Sequence, residues 1–369
     1  MEERLKRFRR PIAAILAAVL LLPAVSAGAK TRGDVTANNN DGLGRLFGEK
    51  PEYCLLCGEL HTGAGGAFVR FFHDVGYFFC GLFGAFPSQG RMYFTKEVVD
   101  AGADEPFYFV HMSDTHLTDA NEKDLADPQL AQTVARREGF CATAVRMLDD
   151  GAVKARELDA FIVHTGDLID FVSRANLARA KAFTAENDVF ASAGNHEYSR
   201  YIWGDPEDEA QRDSVRDRLQ ASFTNNLEYS VRVEHGVKFI TVDNAYYRIK
   251  QWQLDAFRAS LAEDDLPVIL CVHVPLYAPD IHAHVREVFG EPAWLMNVPE
   301  ELMEGWEDGW IEHQRSDAVT AEFYDLVVST PRIKAIFTGH EHFDFVSQLT
   351  PTLKQYVTDC TQGRIVEVR

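Results

Sequence analysis

Positive charge is scarce in this 369-residue chain: 37 Lys and Arg stand against 56 Asp and Glu, a formal charge of −19. Polymeric nucleic acid, whose phosphates require cationic contacts, is thereby disfavoured as a docking partner. A small phosphorylated substrate is not excluded, because bound divalent cations reverse the potential locally. Internal repeats and long low-complexity segments are missing too. With 46% apolar residues the chain is globular rather than disordered, and long enough for one large domain or two ordinary ones. Cysteine is sparse, at six. Cys54 and Cys57 form a Cys-x-x-Cys but lack the second ligand pair of a zinc knuckle, since only His61 and Cys80 lie near. Disulfides are permissible in an exported chain, and the sequence does not choose among the pairings.

Residues 1–29 differ from everything after them. Arg4, Lys6, Arg7, Arg9 and Arg10 precede an apolar run from Pro11 to Val25, then small residues Ser26 to Ala29. That order predicts a secretory signal cleaved after Ala27 or Ala29, which implies a secreted or cell-surface protein. The run falls short of the ~20 residues of a spanning helix; an uncleaved anchor is the alternative, so membrane contact is expected only there. Residues 30–104 read as a flexible leader, rich in Gly, Asn, Asp and Thr, followed by a Gly/Phe-rich segment with Phe68, Phe71, Phe72, Phe78, Phe79, Phe83 and Phe86. This segment is expected to cover one side of the main domain, residues 105–369.

Short apolar runs then alternate with amphipathic stretches. Runs of strand length are Pro106–Met112, Leu158–His164, Asp188–Ala193, Val237–Val242, Pro267–Val274 and Arg332–Phe337. Between the first two, Asp127-Pro128 opens a long helical stretch through Leu130, Val134, Ala142, Val145 and Leu148, with Asp as cap and Pro in the first turn. The result is a β-α-β unit and an α/β fold.

Five polar clusters follow or end these runs: Asp114 and His116; Asp167 and Asp170; Asn195 and His196; His273; His340 and His342. Side chains just past the carboxyl ends of strands in α/β sheets converge on one crevice. Carboxylates, imidazoles and one amide oxygen are what two divalent metals require, with a carboxylate able to bridge both. Gly166, Gly194 and Gly339 precede three of the clusters, where a tight turn benefits from the missing Cβ.

Taken in order, D-x-H (Asp114, His116), G-D-x-x-D (Gly166 to Asp170), G-N-H-E (Gly194 to Glu197), a lone His after a strand (His273) and G-H-x-H (Gly339 to His342) resemble the calcineurin-like metallophosphoesterase family. The resemblance spans roughly residues 105–369 and implies a four-layer αββα sandwich. It implies two divalent ions, such as Mn, Fe or Zn: one on Asp114, His116, Asp167 and His342, the other on Asp167, Asn195, His273 and His340, with Asp167 as bridge. It further implies hydrolysis of phosphate esters by a metal-bridging hydroxide attacking in line, with His196 as general acid and Asp170 orienting its imidazole.

Departures narrow the branch. Phe171 stands where protein Ser/Thr phosphatases carry Arg, and His116 and Asp170 stand where purple acid phosphatases carry Gly and Tyr. The remainder is a group acting on phosphomonoesters or phosphodiesters, nucleotides included; a non-catalytic scaffold on the same fold is the alternative. Substrate choice is expected to reside in two insertions, Tyr198–Asn226 with Tyr201 and Trp203, and Leu276–Val319 with His282, His284, Trp294, Trp306, Trp310 and His313. His282 and His284 are expected in a solvated loop, and the acidic run Pro299–Glu312 on a solvated helix face.

Overall fold

The computed structural model describes residues 92–137, 140–141, 144–202, 204–290 and 292–369. The expected signal, the leader, most of the Gly/Phe-rich segment, Cys54, Cys57, Cys80 and Trp203 lie outside the described residues. No helix among the described residues is long and apolar enough to cross a membrane.

Eleven strands form among the described residues: Tyr93–Val99 (β1), Phe107–Met112 (β2), Phe161–His164 (β3), Val189–Ala191 (β4), Tyr229–Glu234 (β5), Val237–Val242 (β6), Val268–Cys271 (β7), Ile333–Thr338 (β8), Phe345–Thr350 (β9), Leu353–Val357 (β10) and Gln362–Val368 (β11). The six expected apolar runs are β2, β3, β4, β6, β7 and β8, with ends moved by a few residues. They are mostly apolar and almost wholly buried, as befits parallel strands covered on each side. Strands β1, β5, β9, β10 and β11 escaped the sequence reading. β5, for instance, alternates exposed and half-buried positions along Tyr-Ser-Val-Arg-Val-Glu, which dilutes its apolar signal.

Two sheets result, ordered β1-β11-β2-β3-β4 and β5-β6-β7-β8-β10-β9. Within them β2, β3 and β4 run parallel, as do β6, β7, β8 and β10. The sheets pack face to face through one apolar layer in which Phe107, Phe109, Phe161 and Val163 of the first meet Phe239, Ile269, Cys271 and Phe337 of the second. Phe109 meets Phe239 and Phe337 edge-on, at ring separations of 5.3 and 5.0 Å, the arrangement that aromatic quadrupoles favour. Helices cover the outer faces. Ala144–Glu157 packs Met147, Leu148 and Ala152 with the outer residues of β2 and β3, and Gln251–Ala262 and Ala318–Ser329 pack Leu254, Phe257, Phe323 and Val327 on the second sheet. The order is helix, sheet, sheet, helix: the αββα sandwich.

The stretch after Asp127 departs from the expected single helix. Helix Pro128–Arg136 is capped as foreseen, the Asp127 carboxylate accepting from the backbone N–H groups of Gln129 and Leu130. It stops at Arg137, and a separate helix begins at Ala144. Between them Cys141 takes a left-handed backbone (φ 45°), incompatible with helix continuation.

Candidate metal centre

Because β2, β3 and β4 point one way in their sheet and β6, β7 and β8 one way in theirs, the five polar clusters leave the strands at carboxyl ends. The structure brings them together. The ligand atoms of Asp114, His116 and His342 lie within 4.8 Å of one another, and so do those of Asp167, His273 and His340. Asp167 reaches both groups, its Oδ2 3.7 Å from His116 Nε2 and 3.3 Å from His273 Nε2. Asp114 Oδ1 stands 3.3 Å from His342 Nε2.

The loops that carry these groups are bent into costly conformations. Asp114, His116, Asp167, His340 and His342 all have positive φ, between 49° and 70°. For residues bearing a Cβ this costs about 1–2 kcal/mol each, and such strain clusters where function requires it. Gly166 also has positive φ, 95°, the turn role expected for it. Gly339 is needed for space instead: a Cβ there would collide with the Asp114 carboxylate and the Ser113 hydroxyl.

Glu197, the last residue of G-N-H-E, fastens the second and third motifs together. Its fully buried carboxylate accepts from the N–H groups of Asp167 (2.6 Å), Ile169 (3.2 Å) and Gly194 (2.7 Å). Burial, then the charge of Asp167, raise its pKa to about 7. Behind His273, Nδ1 donates to the Thr165 carbonyl at 2.7 Å, leaving Nε2 to face Asp167. The Asn244 side chain accepts from the N–H groups of His273 and Val274 and holds the end of β7. His340 presents Nδ1 to His273 Nε2 at 3.2 Å, while its Nε2 pairs with the Tyr247 hydroxyl at 2.9 Å.

The fit of cations follows from this donor set. His116 Nε2 and His342 Nε2 face each other at 2.9 Å, two imidazole nitrogens crowded onto one point beside a carboxylate. The Asn195 Oδ1 atom is buried and has no hydrogen-bond partner, a cost of about 1–3 kcal/mol that a cation in this position removes. Burial disfavours the Asp167 carboxylate, but His273 and His196 more than offset this and hold its pKa well below the usual range. His273 shows the converse balance: burial opposes its protonation, Asp167 and Asp114 favour it, and its pKa rises to about 9. His340, in contrast, is lowered to about 3 by burial and the neighbouring His273.

A third close group, His116, Asp170 and His196, is a hydrogen-bonded relay rather than a cation site. Asp170 Oδ1 accepts from His116 Nδ1 at 2.9 Å and lies 3.1 Å from His196 Nδ1. Arg137 already supplies the positive charge through Nε and Nη2, both 2.6 Å from the carboxylate. His196 Nδ1 also lies 2.9 Å from the Asp170 carbonyl. Burial opposes protonation of His196, but the charge of Asp167 and the bond to Asp170 raise its pKa overall.

Arg137, Phe140 and Tyr247 are not among the residues expected at the site. No motif marks them; only the structure brings Phe140 against His116 (5.2 Å) and His342 (6.1 Å). The two insertions meet beside the second group, where Glu207 Oε2 pairs with His313 Nε2 at 2.7 Å and Glu207 Oε1 accepts from Asn195 Nδ2 at 3.4 Å. His313 packs on Tyr247 at 5.0 Å. His282 and His284 are on a helix, Pro279–Val288, not in a solvated loop. His282 is buried beside Tyr277, and His284 stacks on Phe345 at 4.6 Å, so the apolar face of that helix accounts for both. Trp306 is buried in the insertion's own core with Ile281, Val285 and Leu295, whereas Trp310 is 40% exposed.

A family profile described as calcineurin-like phosphoesterase matches residues 107–344. No curated protein matches. Similar solved structures include a dimetal phosphatase from Danio rerio, 14% identical with a TM-score of 0.43, covering 70% of this chain and 89% of that one. A putative 5'-nucleotidase from Staphylococcus aureus is 15% identical with a TM-score of 0.33, covering 69% of this chain and 49% of that one. Phosphopantetheinyl hydrolase from Mycobacterium tuberculosis is 12% identical with a TM-score of 0.35, over 71% of this chain and 90% of that one.

Proposed function

The chain belongs to the calcineurin-like phosphoesterase family, and from that premise we propose that it is an exported, metal-dependent hydrolase of small phosphate esters. The observation that carries this reading is Asp167, a single carboxylate within 3.7 Å of imidazoles from both three-residue groups. In this reading Asp114, His116, Asp167 and His342 hold one divalent ion, and Asp167, Asn195, His273 and His340 hold the other. When bound, such a pair lowers the pKa of a shared water and neutralises the phosphate oxygens under attack.

The chain's own residues supply the remainder. His196, 20% exposed at its side chain, faces the ester and donates a proton to the departing oxygen. Asp170 holds that imidazole through Nδ1, which leaves Nε2 for the leaving group. Glu197 and Gly194 keep the short helix Asn195–Tyr198 against Asp167, whose Oδ1 accepts from the His196 backbone N–H at 2.9 Å. The acidic total charge supports a small substrate over a nucleic-acid polymer.

Along the chain, residues 1–29 act as the export signal and the stretch after them as leader and aromatic segment, while the catalytic domain, expected from residue 105, begins earlier, because Tyr93–Val99 pairs with β11 in its first sheet. The test is a panel of phosphate esters offered to manganese-loaded protein, with p-nitrophenyl phosphate and its bis-ester side by side. Turnover of either supports a phosphoesterase, and their ratio assigns mono- or diesterase. A protein that takes up manganese yet turns over nothing on the panel contradicts the enzymatic reading.

A further inference from the structure

We propose that Arg137 is a positioning residue for this centre: its guanidinium locks the Asp170 carboxylate and, through it, fixes the imidazoles of His116 and His196 together. The inference rests on the dinuclear reading above. Arg137 ends the helix Pro128–Arg136, its backbone N–H shared by the Thr133 and Val134 carbonyls, and the chain turns there toward the metal face. Nε lies 2.6 Å from Asp170 Oδ2 and Nη2 2.6 Å from Oδ1, a two-pronged arrangement that fixes the plane of a carboxylate as well as its charge. Phe140 completes the clamp, with the guanidinium carbon 3.5 Å from its ring centroid and its ring edge-on to His116 at 5.2 Å.

The terminal torsion of an aspartate is soft, so a carboxylate held by imidazoles alone could turn and exchange them. With both oxygens engaged by the guanidinium, Oδ1 stays directed at His116 Nδ1 and His196 Nδ1. Fixing Nδ1–H of His116 leaves Nε2 aimed at the point shared with Asp114 and His342, which is how outer partners set ligand basicity and orientation. The same carboxylate oxygen lies 3.1 Å from His196 Nδ1, beside the Asp170 carbonyl at 2.9 Å, so one arginine bears on both a ligand and the proton donor. Only 7% of the Arg137 side chain is exposed, and two of its donors are committed to Asp170. It therefore acts through Asp170 and not on the substrate phosphate.

Metal-free full-length protein is titrated with Mn²⁺ by calorimetry for the wild type, Arg137→Ala and Arg137→Lys, and each is assayed on phenyl phosphate and 2,4-dinitrophenyl phosphate. The wild type is expected to take up two ions. Arg137→Ala weakens one of them by about 10–100-fold, leaves the other unchanged, and lowers kcat on the phenyl ester more than on the dinitrophenyl ester with KM little moved. Arg137→Lys, a point charge without the fork, recovers part of both losses and guards against a folding defect in the alanine variant. Wild-type affinity for both ions in Arg137→Ala, a rise in KM at constant kcat, or a lysine variant indistinguishable from wild type overturns the role of Arg137 and leaves the dinuclear reading standing. A wild type that binds no manganese overturns that reading itself.

Discussion

The two ligand groups are chemically alike in front and different behind. In front, each offers a carboxylate and two imidazoles. Behind the first, His116 leans on the ionised Asp170, itself clamped by Arg137. Behind the second, His273 leans on a neutral backbone carbonyl and His340 on the Tyr247 phenol. An anionic partner makes an imidazole a stronger donor than a neutral one does, so the two ions should not be held equally. On the proposed dinuclear reading the first group is expected to be the tighter site, and the second, which the amide oxygen of Asn195 would complete, is expected to empty first.

The strongest way to break this comparison is to remove what the groups share. Asp167→Asn should abolish turnover and lower bound manganese below two ions per chain, read by elemental analysis; a fully loaded, active variant would show that Asp167 bridges nothing. Next in size is His196→Ala, expected to keep both ions and to lose about 10²–10⁴-fold on poor leaving groups, with far less loss on 2,4-dinitrophenyl phosphate. Equal losses on good and poor leaving groups would remove the proton-donor role. Asn195→Ala sharpens the asymmetry by lowering the stoichiometry from two ions to one, and the ion that remains should be the tighter. Smallest is Tyr247→Phe, which deletes the hydroxyl behind His340 and should weaken only the looser ion, by about tenfold, in a calorimetric titration. If the tighter ion responds instead, the assignment of strong and weak sites is reversed.

What could be read from the sequence follows the same division between front and back. The side chains in front occupy short motifs at the ends of apolar runs, so Asp114, Asp167, His273 and their companions were legible before any fold was known. The central strands β2, β3, β6, β7 and β8 were legible for the same reason, being mostly apolar. The side chains behind were not. Arg137 looks like any basic residue near a helix end, and Tyr247 like any aromatic after a strand; their partners Asp170 and His340 lie 33 and 93 residues away, distances no local pattern encodes. The edge strands β5 and β9 were lost because exposed and half-buried polar positions interrupt their apolar residues. The helix after Asp127 read as one continuous stretch because Leu130, Val134, Val145 and Leu148 keep a helical rhythm across the break. Its cause, the turn of Arg137 toward Asp170 and the left-handed Cys141, is a tertiary demand overriding local propensity. His282 and His284 were misread as loop residues because their apolar partners, Tyr277 and Phe345, lie outside the histidine pair.

The central claim is that one carboxylate, Asp167, joins two cation sites built from five separate stretches of chain. Anomalous diffraction from crystals soaked in manganese tests it most directly. The account predicts two peaks, one among Asp114, His116 and His342 and one among Asn195, His273 and His340, both in contact with Asp167. A single peak, or a pair that does not share Asp167, would contradict it.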